Sequence, residues 1–420
     1  MATSIPAPKG TKDVLPADVS RWQHVEAIAR ALFATYRYSE IRTPIFESTD
    51  LFQRGIGEET DIVGKEMYSF VTRGDDKITL RPENTAGVVR AFIQHKLFAE
   101  PAPQKLWYVG PMFRYERPQA GRQRQFHQLG VECLGSDEPR WDAESIVLAW
   151  DLLEKLGLQN LEVQLNSVGC PTCRPVYRER LQTYLRAHQA DLCENCVTRT
   201  EKNPLRVLDC KVPNCAPTIA EAPPLADALC EVCRTHEDAV EAMLKAVGVP
   251  FRINPRLVRG LDYYTRTVFE VVSGSLGAQN TVLAGGRYNH LVEELGGPAT
   301  PSVGWALGME RLLMLLGEDA VPAPRLFGLV AGSGTDGEAR AFELARRLRA
   351  AGHAVDLAPR GKMDKLFKQA ERLKARYAFI IGPDEVAANQ VAVKDLDARE
   401  QSQVGWADAE FAGWLEGVKA

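Results

Sequence analysis

Residues 105–135, KLWYVGPMFRYERPQAGRQRQFHQLGVECLG, restrict the fold more than any other part of this chain. Residues 106–115 are aromatic and β-branched, and residues 126–134 alternate; both patterns predict strands. Between them, residues 116–125 carry Pro118, Gly121 and several charges, the composition of an exposed hairpin loop. Successive strand side chains point to opposite faces. Phe126, Gln128, Gly130 and Glu132 therefore share one face of the second strand, and Tyr108, Met112 and Arg114 share one face of the first. A face built only for packing is apolar. This one sets a flat ring, an amide, a carboxylate and a guanidinium side by side, which predicts a binding floor.

Other stretches supply partners for such a floor. RPENTAG (81–87) follows a predicted short hairpin over residues 67–80 and opens a predicted helix over 85–99. A strand end meeting a helix start aims side chains and backbone N–H groups at a ligand. Glu83 and Thr85 there offer a carboxylate and a hydroxyl suited to an ammonium group; helix capping is the plainer role for both. Residues 47–64, polar and glycine-containing, predict an ordered active-site loop. LVRGLDYYTRTVFEVVSG (257–274) resumes the β pattern, although strict alternation puts Arg259 and Tyr264 on opposite faces unless Gly260 bends the chain. In residues 281–290 paired glycines allow close approach to a ligand, with Arg287 and Tyr288 beside them. SVGWALGMER (302–311) leaves Gly304, Ala306 and Gly308 as a bare strand face, and Arg311 begins a predicted helix at its positive end, which suits a phosphate.

With 420 residues the chain has room for two or three domains. Its net charge of −4 leaves any nucleic-acid binding to local basic patches. No run approaches the roughly 20 apolar residues of a membrane span, and residues 1–10 lack the apolar core of a secretory signal. The expectation is a cytoplasmic protein with reduced thiols. Eight of the nine cysteines fall into four close pairs: Cys170 with Cys173, Cys193 with Cys196, Cys210 with Cys215, and Cys230 with Cys233. In a reducing compartment such pairs point to zinc ligands rather than disulfides, in one or two tetrahedral sites with partners unspecified; free thiols are the alternative. Together with five prolines between Pro204 and Pro224, they mark residues 170–250 as an inserted module. A helix is predicted over 18–36, and YSEIRTPIFES (38–48) carries Pro44, which belongs at a sheet edge or subunit boundary. Beyond a short linker at 320–324, alternating strands and helices predict a compact α/β domain with a mainly parallel sheet. It contains a basic run, Arg360, Lys362, Lys365, Lys368, Arg372, Lys374 and Arg376, able to attract a nucleic-acid backbone.

Taken together, these stretches resemble the histidyl-tRNA synthetases, a class II family, over nearly the whole chain. FRYERPQAGRQRQFHQLGVECLG looks like the second class motif, GWALGMER like the third and YSEIRTPIFES like the first. RGLDYYTRTVFE and AGGRY resemble the two stretches peculiar to the histidine enzyme. The resemblance implies an α+β catalytic domain with an antiparallel sheet (1–169 and 251–320), the cysteine-rich insertion (170–250) and a C-terminal α/β anticodon-binding domain (325–420). It implies a cytoplasmic homodimer that uses ATP and Mg²⁺ to activate L-histidine and then transfers it to the 3′ end of its tRNA. Glu83, Thr85 and Gln128 would hold the α-amino group, and Glu132 with Tyr263 and Tyr264 the imidazole side. Arg114 and Arg259 would be catalytic at the α-phosphate. Phe126 and Arg311 would sandwich adenine, Glu116 would take its exocyclic amine, and Arg122 would reach the distal phosphates. Arg117, Gln119 and Arg124 would face the tRNA acceptor end. Structural Zn²⁺ stays open, because many family members lack the cysteine pairs. Asn84 stands where glycine is expected, and Asn289 and His290 where Asp-Gly is. Two other readings are a non-catalytic regulatory subunit of ATP phosphoribosyltransferase and a different class II synthetase.

Overall fold

The computed structural model describes residues 5–57, 60, 62–274, 281–317, 321, 325–359, 361 and 363–418. They form two compact units, Met1–Val321 and Pro322–Ala420. The strands of the first are β1 (Ser39–Glu40), β2 (Phe46–Ser48), β3 (Tyr68–Val71), β4 (Lys77–Leu80), β5 (Gln104–Phe113), β6 (Gln125–Leu134), β7 (Leu161–Ser167), β8 (Phe251–Ile253), β9 (Thr265–Ser273), β10 (Thr281–Arg287) and β11 (Ser302–Gly308). Eight build one sheet in the order β1-β5-β6-β11-β10-β9-β7-β8, and β2-β4-β3 form a small separate sheet. The six inner strands of the large sheet are antiparallel; β1 and β8 add parallel edges.

Alternation gives the large sheet one dry face and one mixed face, on which Leu106, Met112, Leu134 and Val268 flank the polar residues. Trp107, Leu129, Val131, Phe269, Val271, Val303 and Trp305 point to the dry side, packed against the helices Pro16–Thr35 and Pro139–Lys155. Arg287 also leaves the mixed face. Rather than standing beside a ligand, it is fully buried and paired with the fully buried Asp142 of the second helix. Its Nε reaches both carboxylate oxygens at 3.1 Å, and its Nη1 donates to Ser136 O at 2.9 Å and Asn289 Oδ1 at 3.1 Å. Asn289 thus serves this cluster, while His290 is half-buried and 3.4 Å from Glu293. Burial raises the Asp142 pKa, but Arg287 and His236 outweigh it and hold it down at about 2.

Residues 47–64 are not mainly a loop. Thr49–Ile56 is a helix that buries Leu51, Phe52 and Ile56, a stripe masked in the sequence by the neighbouring charges and glycines; residues 58, 59 and 61 lie outside the described set. The cysteine-rich stretch is helical, with Cys173–Ala187, Glu194–Lys202, Ala216–Glu221 and Glu231–Ala246 joined by short turns. In the second unit, β12 (Gly328–Gly332), β13 (Val355–Leu357), β14 (Tyr377–Ile381), β15 (Gln390–Asp395) and β16 (Glu400–Gly405) are ordered β13-β12-β14-β15-β16. Only β13, β12 and β14 are parallel; β15 and β16 pair antiparallel, so the sheet is mixed rather than mainly parallel. Strand β16, EQSQVG, is exposed and polar and gives almost no apolar signal. Lys365, Lys368, Arg372 and Lys374 of the basic run are exposed, and Arg360 and Lys362 lie outside the described residues. No helix among the described residues is long and apolar enough to cross a membrane.

Removing one partner of a buried ion pair strands the other. Asp142→Ala should therefore cost about 3–5 kcal/mol in urea unfolding, whereas Asp142→Leu with Arg287→Met should recover much of it. Because the folded pKa is depressed, this stabilisation is full above 3.8 and is lost as pH falls through about 2. An Asp142→Ala cost under about 1 kcal/mol would show that the pair is dispensable.

Candidate active site

The mixed face is floored by residues without bulk, and their neighbours show why. On β6 and β11, Glu132 pairs with Gly304, Gly130 with Ala306 and Gln128 with Gly308. A Cβ on Gly304 would lie 2.0 Å from Glu132 Oε2, and one on Gly130 would lie 2.5 Å from the Tyr108 ring. One on Gly286 would lie 2.9 Å from the ring of Tyr264. The glycines let three large functional side chains lie flat across the sheet.

These side chains enclose an inner cavity of 150 Å³, lined by Glu83, Thr85, Tyr108, Arg114, Gln128, Glu132, Arg259, Tyr263, Tyr264 and Tyr288, among others. That is below the roughly 300–1,000 Å³ of drug-sized sites, so the guest is small. Glu132 is almost completely buried and accepts hydrogen bonds from Tyr288 Oη, Thr85 Oγ1 at 2.7 Å and Tyr108 Oη at 3.5 Å. Burial pushes its pKa up to about 8; the Tyr288 and Thr85 hydroxyls pull against that, and the Glu83 carboxylate reinforces it. Glu83 does cap its helix, accepting Thr85 N–H at 2.6 Å and Ala86 N–H at 3.0 Å, yet it also lines the cavity. Burial raises its pKa as well, against those two backbone donors. Capping and ligand binding are therefore compatible roles for it. Two buried carboxyl groups facing one small space favour a cationic guest.

The buried Gln128 Oε1 and Arg259 Nε have no hydrogen-bond partner among the described residues. An acceptor and a donor left so at a cavity wall are available to a guest. Asn84 needs no glycine, since its φ is −120° and its Oδ1 accepts from Thr43 Oγ1 at 2.5 Å. Arg259 and Tyr264 precede β9 in irregular chain, so strand alternation does not apply to them.

Outward lies a 670 Å³ cleft that shares Arg114, Gln128 and Arg259 with the inner cavity and adds Glu116, Arg122, Phe126 and Arg311. Arg114 donates Nε to Pro82 O at 2.8 Å and sits 5.2 Å from the Phe126 ring centre. Arg122 Nη1 lies 3.3 Å from Glu116. Arg311 donates to Thr281 O at 2.8 Å, and its pKa is lowered by burial and then by the like charge of Arg122. Arginines gathered in one cleft suit a polyphosphate. On the hairpin loop Arg117 and Gln119 are exposed. Arg124 is occupied instead, stacked 3.9 Å over Tyr115 with Nε 3.3 Å from Glu116 O. The eight paired cysteines are not in this cleft. They form two groups, Cys170, Cys173, Cys230 and Cys233, and Cys193, Cys196, Cys210 and Cys215, with the ligand atoms of each within 4.8 Å of one another.

Three pocket residues have no role legible in the sequence. Tyr108 and Tyr288 stand near the predicted floor without a distinguishing pattern, and Glu270 enters only through its partners. Glu270 pairs with Arg259 and accepts Thr281 Oγ1 at 2.8 Å. Its only sequence signal is a charge between apolar residues in TVFEVV.

A polar antiparallel sheet with an acidic inner pocket and an arginine-lined outer cleft defines a class II aminoacyl-tRNA synthetase architecture. The histidyl-tRNA synthetase family model matches residues 10–312, and an anticodon-binding-domain model matches residues 328–412. A histidine–tRNA ligase of Anaeromyxobacter sp. (strain K) is 53% identical over 412 residues, 97% of this chain and 99% of that one. The apo S. aureus histidyl-tRNA synthetase aligns with TM-score 0.82 and 36% identity, covering 99% of this chain and 100% of that one. A Bacillus halodurans protein titled ATP phosphoribosyltransferase regulatory subunit/histidyl-tRNA synthetase shares the fold at 21% identity and TM-score 0.67, over 91% of this chain and 99% of that one. The chain belongs to the histidyl-tRNA synthetase family.

The Glu132 assignment predicts a pH signature. A raised folded pKa means that stability is full below 4.5 and falls as pH rises toward about 8. The stability gained by Glu132→Gln, read as thermal midpoint without ligand, should therefore grow from pH 5 to pH 8. A gain independent of pH would overturn the assignment.

Proposed function

We propose that this chain activates L-histidine with ATP and transfers it to the 3′ end of its tRNA. The observation that carries the reading is the pair of buried carboxyl groups, Glu83 and Glu132, lining one pocket sized for one small amino acid and bridged by Thr85. Glu83, Thr85 and the unpartnered Gln128 Oε1 take the α-ammonium group. Glu132 and Tyr264 take the imidazole, with Tyr263 packed at 4.7 Å from Tyr264. An amino acid lacking a ring N–H leaves Glu132 without that partner, which is a strong discrimination.

The histidine carboxylate attacks the α-phosphorus of ATP in line. The new O–P bond forms as the bond to the β-phosphate oxygen breaks, giving histidyl-adenylate and pyrophosphate. Arg114 and Arg259 hold the α-phosphate from two sides, and Arg122 reaches the distal phosphates. Phe126 and Arg311 clamp adenine, and Glu116 accepts from its exocyclic amine. Catalysis here is positioning plus charge stabilisation. Glu116 and Glu270 line the same cleft and would be the carboxylates available to Mg²⁺, which would neutralise phosphate charge when bound. A terminal ribose hydroxyl of the tRNA then attacks the acyl carbon and releases AMP. Arg117 and Gln119 face the acceptor end, and Arg124 acts from behind by bracing the loop.

The catalytic domain comprises residues 1–169 and 251–320, the insertion 170–250 and the anticodon-binding domain 325–420. Structural Zn²⁺ is the metal this reading gives to the cysteine groups. A homodimer is supported by Ile45, Phe46, Phe70 and Val71, which are exposed on or beside the small β2-β4-β3 sheet next to Pro44.

Pyrophosphate exchange across a panel of amino acids should respond to histidine alone. No exchange would favour the regulatory-subunit reading, and exchange with another amino acid would overturn the specificity. Arg259→Ala should slow single-turnover adenylate formation by far more than tenfold with the fold intact; a loss within about tenfold, roughly 1.4 kcal/mol, would remove Arg259 from the catalytic group.

A further inference from the structure

We infer that the insertion holds two zinc ions, each in a closed four-cysteine site, and that these sites brace the irregular segment carrying Arg259, Tyr263 and Tyr264. The sites are nested. Cys170 and Cys173 join Cys230 and Cys233 at the root of the module, while Cys193 and Cys196 join Cys210 and Cys215 further out. The sulfurs lie 3.6 Å apart for Cys170–Cys173 and 3.9 Å for both Cys170–Cys230 and Cys193–Cys210. Four thiolates at about 2.3 Å from zinc on a tetrahedron stand about 3.8 Å apart. A disulfide needs roughly 2.05 Å, and all eight thiols are free. The all-sulfur donor set selects a soft or borderline metal, and complete four-coordination is the mark of a structural site. Backbone N–H groups already steady the sulfurs: that of Cys230 donates to Cys173 Sγ at 3.1 Å, and that of Cys193 to Cys215 Sγ at 3.2 Å.

Each site is tied to the pocket wall by one arginine. Arg174, directly after Cys173, donates to the Tyr264 carbonyl. The root is also paired through its backbone, Val168 N to Arg266 O at 2.7 Å and Arg266 N to Gly169 O at 2.9 Å. Gly169 has φ +68°, and a Cβ there would meet Cys173 Cβ at 2.7 Å, so the chain can turn into the site only at glycine. Arg206, between Cys196 and Cys210, donates to Gly260 O at 2.6 Å and Asp262 Oδ1 at 3.1 Å, and Asn203 Nδ2 reaches the same oxygen at 3.3 Å. Residues 257–264 form no helix or strand, so their placement depends on bonds from outside. Arg174 and Arg206 are positioning residues; the metals hold the elements that carry them.

The bracing half of this inference rests on the histidine reading of the pocket; the metal half does not. Elemental mass spectrometry of full-length enzyme purified without chelator should find two zinc ions per chain. Cys170→Ser/Cys173→Ser and Cys193→Ser/Cys196→Ser should each keep one. Arg206→Ala should keep both, raise KM for histidine in pyrophosphate exchange by about tenfold and lower kcat through the loosened Arg259, with KM for ATP changed less than about twofold. Less than one metal ion per chain with eight reactive thiols, or iron in place of zinc, would overturn the sites. Equal changes in both KM values for Arg206→Ala would overturn the bracing. A fully metallated enzyme with no histidine-dependent exchange would instead overturn the histidine reading and leave the metal count standing.

Discussion

Glu132 is a carboxyl group almost entirely removed from water, and much of the catalytic unit is arranged around that fact. Burying it raises its pKa to about 8, and hydroxyls of Tyr288, Thr85 and Tyr108 offset part of the cost. Each hydroxyl comes from a different element: the end of β10, the helix starting at Thr85, and β5. The arrangement therefore holds only if those elements meet in one register. A one-residue slip of β6 would turn Glu132 into the dry side, against the two helices, and bring Val131 into the pocket.

The bare floor follows from the same constraint. Side chains as large as Glu132, Tyr108 and Tyr264 can lie along a sheet only where the facing residue has no Cβ. Gly304, Gly130 and Gly286 occupy those three places. What reads in the sequence as a surface cleared for a ligand is partly cleared for the protein's own side chains. The ligand then meets carboxylate, hydroxyl and ring edges rather than backbone. On the opposite side, the Asp142–Arg287 pair ties β10 to the helix behind it. Adjacent residues of one strand thus serve opposite ends: Gly286 the pocket and Arg287 the core.

The outer cleft works by a different balance. Arg114, Arg122, Arg259 and Arg311 gather there, partly countered by Glu116 and Glu270. The cluster is steadied by those carboxylates, Glu116 on Arg122 and Glu270 on Arg259, and by carbonyl contacts such as Arg114 to Pro82 and Arg311 to Thr281. Guanidinium groups gathered in this way match the geometry and charge of phosphate oxygens.

Strand periodicity alone determined the two faces of the hairpin, because a period of two admits only one partition of side chains. It put Gln128 and Glu132 with Phe126 on the floor, and the bare stripe Gly304–Ala306–Gly308 opposite them. The close cysteine pairs likewise carried the spacing of metal ligands. Tertiary structure decided what depends on distant parts of the chain. It joined the first cysteine pair to the fourth and the second to the third, since spacing within a pair says nothing about partners. It took Arg287 out of the site and brought Glu270 in, because a charged side chain's role follows from its partner, and Asp142 and Arg259 are far away in sequence. It also made residues 49–56 a helix, whose buried stripe is interrupted by charges and glycine, and the C-terminal sheet mixed, where the exposed β16 gives almost no apolar pattern. Local sequence sets the direction a side chain points; only packing between distant segments sets what it meets.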